Sequence, residues 1–295
     1  MTQPGELEVI ARLGIPGVAD VHSHFMPRVV MDKVWTYFDD ASTNYGIDWP
    51  IEYREDEQAR LAILRGLGVR SFTSMIYAHK PGMAAWLNQW AVQFAAEHSD
   101  CLHTSTFYPE DGVVDYVAEA IEAGTRVFKI HLQVGAFDPR HELLKPVWAL
   151  IAQEQIPVVI HCGSGPVPGS FTGPGPTAEL IAAHPDLSLV IAHMGAPEYG
   201  DFLELADRYE NVRLDTTMAF TDFMNRLASF PEELMPKLQT AGERGDVLFG
   251  SDFPNIPYSY EHAAAAVTQL GLGDEFERQV FWGAAAALFG LEPRG

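Results

Sequence analysis

VADVHSHFMP, residues 18–27, sets Val18, Ala19, Asp20 and Val21 ahead of two histidines, His22 and His24, with one serine between them. Side chains alternate across an extended strand, so residues two apart share a face, roughly 6.5 Å apart along the chain. Read as a strand, the stretch turns Asp20, His22 and His24 the same way. Two imidazoles converging from one strand can grip a single metal ion at ~2.0–2.1 Å per nitrogen. Alone, the pair is weak evidence, since two hydrogen-bonded core histidines would read identically.

The surrounding chain repeats the theme. Short apolar, β-branched runs start at Val18, Val69, Leu102, Val127, Pro157, Leu187, Val212 and Val247. Segments of helical periodicity separate them. EDEQARLAILRGLG from Glu55 predicts a helix with Ala59, Ala62, Ile63 and Leu67 near one face. VVDYVAEAIEAG predicts one stopping at Gly124, and HELLKPVWALIAQEQ one with a stripe of Leu143, Val147, Leu150 and Ile151. Strands alternating with helices imply a parallel sheet, and about eight such units close a barrel. The expected fold is therefore α/β, a (distorted) (β/α)8 TIM barrel forming one domain over residues 1–295. Two segments exceed a minimal barrel. Residues 25–53, rich in aromatics (Trp35, Tyr37, Phe38, Tyr45, Trp49), are too long for a plain connection and are expected to form a pocket wall or lid. GSGPVPGSFTGPGP from Gly163 is expected to be an irregular loop at the pocket edge.

Polar residues gather where these strands end. VFKIHL closes on Lys129 and His131, PVVIHC on His161, LVIAHMG on His193 and LFGSDFP on Asp252. Burying so many titratable groups costs several kcal/mol each unless a metal or partner compensates. A divalent cation removes that cost, and chance would rarely set His, His and Asp last on three separate strands. Tyr77 and His79 end the second strand and Tyr108 the third, which makes them candidates for substrate contact. Cys162 alternates to the opposite face from His161 and reads as a packed thiol. Asp20 lies a step deeper than His22 and is expected to support the site through hydrogen bonds; Asp215 on the seventh strand is expected to hydrogen-bond within the barrel and not to act in catalysis.

The order His-x-His, Lys, His, His, Asp along the strands is similar to that of the amidohydrolase superfamily. Within it the chain most resembles the amidohydrolase-related group that includes aminocarboxymuconate semialdehyde decarboxylase. DVHSHF, FKIHLQVGAFDPR, PVVIHCGSG, HPDLSLVIAHMGAPE, NVRLDTT and LFGSDFP carry the likeness, which extends from Val18 to the last helix. It implies that His22, His24, His161 and Asp252 ligate one divalent metal, expected to be Zn2+, with His193 beside it. Asp252 and His193 would be the catalytic pair, the first moving the proton of an attacking water and the second donating a hydrogen bond to the developing oxyanion. Lys129 is either carboxylated, bridging a second ion, or an ordinary lysine that binds a substrate carboxylate. His131 takes no fixed role from the resemblance. Ala284 stands where many relatives carry Asn, a difference that bears on helix packing. The implied activity is metal-dependent hydrolysis of a small amide, lactone or ester. The alternative is non-oxidative decarboxylation of a small unsaturated or aromatic acid, for which Lys129, Lys80 and Arg140 are the cationic candidates.

Bulk properties bound the partners. Forty acidic against nineteen basic residues leave a formal charge of −21, which argues against nucleic acid and anionic membranes. Two cysteines make no disulfide framework, and neither a signal-like N-terminus nor a run of ~20 apolar residues is present. A cytoplasmic protein acting on a small molecule is expected, and the group it resembles suggests a homodimer.

Overall fold

The computed structural model describes residues 5–292. Among the described residues nine short strands, all but β3 and β4 separated by helices, follow in order: β1 (Val18–Asp20), β2 (Val69–Thr73), β3 (Cys101–Leu102), β4 (Thr104–Ser105), β5 (Val127–His131), β6 (Val158–His161), β7 (Leu189–Ile191), β8 (Val212–Asp215) and β9 (Val247–Leu248). They match the eight expected runs except that the third is broken at His103. The carbonyl of that residue accepts from both Arg126 N–H and Val127 N–H (2.8 and 3.3 Å), which divides the ladder. The chain gathers into two compact units, one formed by the residues up to Thr73 and from Thr216, the other by Ser74–Asp215.

In the first unit β1 and β2 pair in parallel. Their apolar residues are buried with an aromatic cluster: the Phe25 ring lies 5.2 Å from Phe72 and 6.3 Å from Phe253, and Phe249 lies 5.0 Å from Phe281. Residues 25–53 are not an irregular excursion. They contain the helices Arg28–Asp39 and Ala41–Tyr45. The helix Glu57–Gly66 is capped by the Asp56 carboxylate, which accepts from Ala59 N–H. Its buried face is Arg60, Leu61 and Leu64, continued by Leu67, and not the expected Ala59–Ala62–Ile63 face. Arg60 explains the rotation: its guanidinium lies over Phe25 (5.2 Å) and Trp35 (5.5 Å), so a nominally polar position points inward. Ala284 is buried at the start of the last helix, Ala284–Phe289.

In the second unit β4 to β8 form a continuous parallel series, strand by strand in chain order. Val127, Phe128, Val158–Ile160, Leu189–Ile191, Val212 and Leu214 are buried, as strands covered on both faces require. The helix Val113–Glu122 ends as expected near Gly124, which adopts φ 92°. In the helix Lys145–Gln153 the buried stripe is Val147, Trp148 and Ile151. Leu143 is exposed instead, because the helix starts later than the periodicity suggested and Leu144 takes the inward position. Among the described residues no helix is long and apolar enough to cross a membrane.

Candidate metal centre

The chain leaves β1 at Asp20, so His22 and His24 lie just past the strand and not on it. A buried carboxylate sets their direction. Asp20 Oδ1 accepts from the N–H groups of His22 (3.1 Å) and Ser251 (3.2 Å); Oδ2 accepts from the hydroxyls of Ser251 (2.5 Å) and Tyr260 (3.0 Å). Burial pushes the Asp20 pKa up to about 6, against the lowering effect of those four donors. The backbone adds three bonds between the same two segments: Val21 N–H to Phe249 O (3.0 Å), Asp252 N–H to His22 O (2.8 Å) and His24 N–H to Phe253 O (2.6 Å). Residues 20–24 and 249–253 are thereby laced together. Gly250 permits the approach, since a Cβ there would stand 2.8 Å from His22 Cβ.

Three of the four expected ligands meet as a result. His24 Nε2 is 2.8 Å and His22 Nε2 3.6 Å from the same atom, Asp252 Oδ1, and the two imidazole centroids are 5.3 Å apart. All three side chains are buried. Two ring nitrogens and a carboxylate oxygen converging in a dry setting suit a divalent cation of the borderline class. Asp252 has φ 70°, an uncommon conformation for a non-glycine residue, held by the bonds its own N–H gives to His22 O and its carbonyl takes from Asn255 N–H (2.9 Å).

The aromatic segment 25–53 packs on the stretch that follows Asp252. Trp35 Nε1–H donates to Asn255 Oδ1 (3.1 Å) and Trp49 Nε1–H to Asn255 O (2.7 Å). Glu52 N–H donates to Ile256 O (2.9 Å), and Tyr260 N–H to the Tyr53 hydroxyl (2.7 Å). These bonds pin the segment to residues 255–260; Trp35 and Trp49 are buried, while Tyr37 is half exposed.

In the second unit, β5 and β6 are in register with His131 opposite His161. Their imidazoles stack at 3.8 Å and 11°. The row continues to Tyr77 on one side, 5.3 Å from His131, and to His193 on the other, 4.8 Å from His161. Four residues chosen from separate strand ends thus form one line of rings. His161 Nε2 also lies 3.2 Å from Gly165 O. His193 has φ 55° and follows β7; its N–H donates to the buried Asp215 Oδ1 (2.8 Å), a hydrogen bond of the kind expected of Asp215. The 163–173 loop is irregular as expected, and Gly163 is required there because a Cβ would meet Ala196 O at 2.5 Å. Lys129 is buried on β5. Tyr108 donates from its hydroxyl to Gly135 O (3.2 Å) and packs on Phe137, and His79 is exposed. Of the other cationic candidates, Lys80 is exposed and Arg140 is engaged by Asp138 and Glu179 at 2.8 and 2.7 Å. Cys162 is buried, which pushes its thiol pKa up to about 12.

Sequence reasoning overlooked Ser251, Asn255, Tyr258 and Tyr260, all within nine residues of Asp252. The available signal was SDFPNIPYSY itself: polar and aromatic residues crowding a strand exit.

The amidohydrolase family model matches residues 19–291. No curated protein matches the sequence. Among solved structures, an uncharacterized TIM-barrel protein from Bordetella bronchiseptica is 15% identical, with 92% of this chain and 98% of that chain covered and a TM-score of 0.74. A probable 2-pyrone-4,6-dicarboxylic acid hydrolase from Acinetobacter baumannii is 15% identical, covering 93% and 100%, with a TM-score of 0.62. A 5-carboxyvanillate decarboxylase from Novosphingobium aromaticivorans, complexed with manganese, is 16% identical, covering 99% and 100%, with a TM-score of 0.61. These likenesses show the TIM-barrel fold that the strand count predicted. With a match over nearly its whole length, the chain belongs to the amidohydrolase family.

Proposed function

We propose that the protein is a metal-dependent hydrolase of a small amide, lactone or ester. One observation carries the reading: two buried imidazoles, His22 and His24, turn onto one carboxylate oxygen, Asp252 Oδ1, while the buried Asp20 holds the backbone of His22 and of Ser251, the residue before Asp252. Family membership supports it. His22, His24 and Asp252, with His161, are the residues proposed to hold the ion, and zinc is the ion proposed. A bound divalent cation supplies Lewis acidity and brings the pKa of a water to about 7. The remaining work falls to the chain. Asp252 takes the proton of the attacking water and passes it to the leaving group. Neutral His193, its backbone N–H fixed by Asp215, offers its ring N–H to the developing oxyanion. Lys129 is proposed to carry either a carboxylated bridge to a second ion or the cation for a substrate carboxylate. Tyr77, His131, Tyr108 and His79 are proposed to face the substrate. We further propose one domain, a cytoplasmic setting and a homodimer.

A specific likeness favours a second reading, non-oxidative decarboxylation, because one of the solved structures is a carboxyvanillate decarboxylase. Zinc-reconstituted protein assayed against 4-nitrophenyl acetate, dihydrocoumarin and carboxylated aromatic acids separates the two. The proposal expects ester or lactone turnover that falls at least 100-fold in Asp252→Asn. CO2 as the sole product would overturn it.

A further inference from the structure

His131 and His161 close two neighbouring parallel strands, and the register of β5 and β6 sets them side by side. Paired strands lie about 4.8 Å apart, so two flat side chains at one step either stack or splay. These stack, with centroids 3.8 Å apart and planes 11° from parallel. The two imidazoles are nevertheless wired differently. His131 Nδ1 accepts from Val134 N–H (3.3 Å) and so caps the short helix Leu132–Gly135. That nitrogen is spent on the backbone. At His161 the other nitrogen is engaged. Its Nε2 lies 3.2 Å from Gly165 O, and because a carbonyl only accepts, Nε2 carries the proton. The lone pair of neutral His161 is then on Nδ1, the nitrogen with which it can meet a cation. Gly165 is itself held, its N–H donating to Ala196 O (2.9 Å). The same loop seats on the turn after His131, where a Cβ on Gly169 would stand 3.3 Å from Gln133 Cα.

The Gly165 bond holds one edge of the His161 ring. The ring plane turns about χ2, a soft torsion in histidine, and is set by what packs against the ring face. His193 meets the ring at a steep angle (4.8 Å, 60°), whereas His131 lies flat on it. His131 is in turn steadied by the Val134 bond and by Tyr77, 5.3 Å away. We propose that His131 is a positioning residue, holding the plane of His161 by stacking while Gly165 O selects the nitrogen. The inference rests on the function proposed above, which makes His161 a ligand, and deepens it by giving His131 a task at that site.

Two substitutions separate the stack from the cap. His131→Phe keeps a flat ring and loses the acceptor for Val134 N–H; His131→Asn keeps an acceptor oxygen and loses the ring. Co2+ titration followed in the visible spectrum is expected to give His131→Phe an affinity within about threefold of wild type, and His131→Asn one at least about tenfold weaker. Nitrogen NMR of metal-free protein with isotope-labelled histidine, the signal assigned by its loss in His161→Gln, reads the tautomer. His161 is expected to carry its proton on Nε2 in the wild type and in His131→Phe, and to populate both tautomers in His131→Asn. The opposite order of affinities overturns the inference, because His131 would then serve only the helix cap. Equal affinities in the two variants, matching the wild type or reduced, overturn it as well, and so does a wild-type His161 proton on Nδ1. Failure of the wild type to take up Co2+ defeats the function proposal, and the task assigned to His131 falls with it.

Discussion

Asp20 shows how one residue decides the geometry of a site it does not belong to. Its two oxygens hold His22 and Ser251 by their backbones and Ser251 and Tyr260 by their hydroxyls, so one carboxylate spans both segments that supply ligands. Asp20→Ala leaves four donors unpaired in a dry setting. We expect a stability loss of about 3–5 kcal/mol and weakened metal binding, with Asp20→Asn recovering part of each because it keeps one acceptor oxygen. Urea unfolding and Zn2+ titration read the two effects; wild-type metal affinity in Asp20→Ala would show that the clamp is irrelevant to the ligands. The depth of Asp20 was legible from alternation. The left-handed conformations of His193 and Asp252 were not, because both residues lie past the strand ends, where local hydrogen bonds and not strand periodicity set the backbone.

At the level of elements, the aromatic segment 25–53 shows both the reach and the limit of pattern reading. Its length and composition marked it as more than a plain connection and set the expectation of a pocket wall or lid. Its mode of attachment was hidden, because two indole N–H groups converge on Asn255, more than two hundred residues downstream. Trp49→Phe keeps the ring packed on Phe223 (4.7 Å) but removes the donor to Asn255 O. We expect it to cost about 1–2 kcal/mol and to loosen the Asp252 segment enough to lower metal affinity, while Tyr37→Phe, at a half-exposed position on the helix Arg28–Asp39 of the same segment, changes neither. Equal effects from the two substitutions would contradict the role given to the Trp49–Asn255 bond. Helix faces were read less well than strands for a similar reason. The Glu57–Gly66 helix turns Arg60 inward against Phe25 and Trp35, a cation–aromatic contact that a hydrophobic period does not register.

At the scale of the molecule, the TIM-barrel fold was legible because its signal is redundant: eight apolar runs separated by segments of helical periodicity, with polar residues gathered at their ends. The ligand candidates were legible for the same reason, as His22, His24 and Asp252 stand out against apolar runs and the structure turns both imidazoles onto Asp252 Oδ1. The substrate was not, because the segments beyond the strand ends take courses that depend on distant partners, as the stretch after Asp252 depends on Trp35 and Trp49. Metal analysis of the purified protein tests the central claim most directly. We predict about one divalent ion per chain in the wild type and severalfold less in both His24→Ala and Asp252→Ala, each of which removes a donor from a small coordination set. Full metal occupancy in both variants would contradict the account.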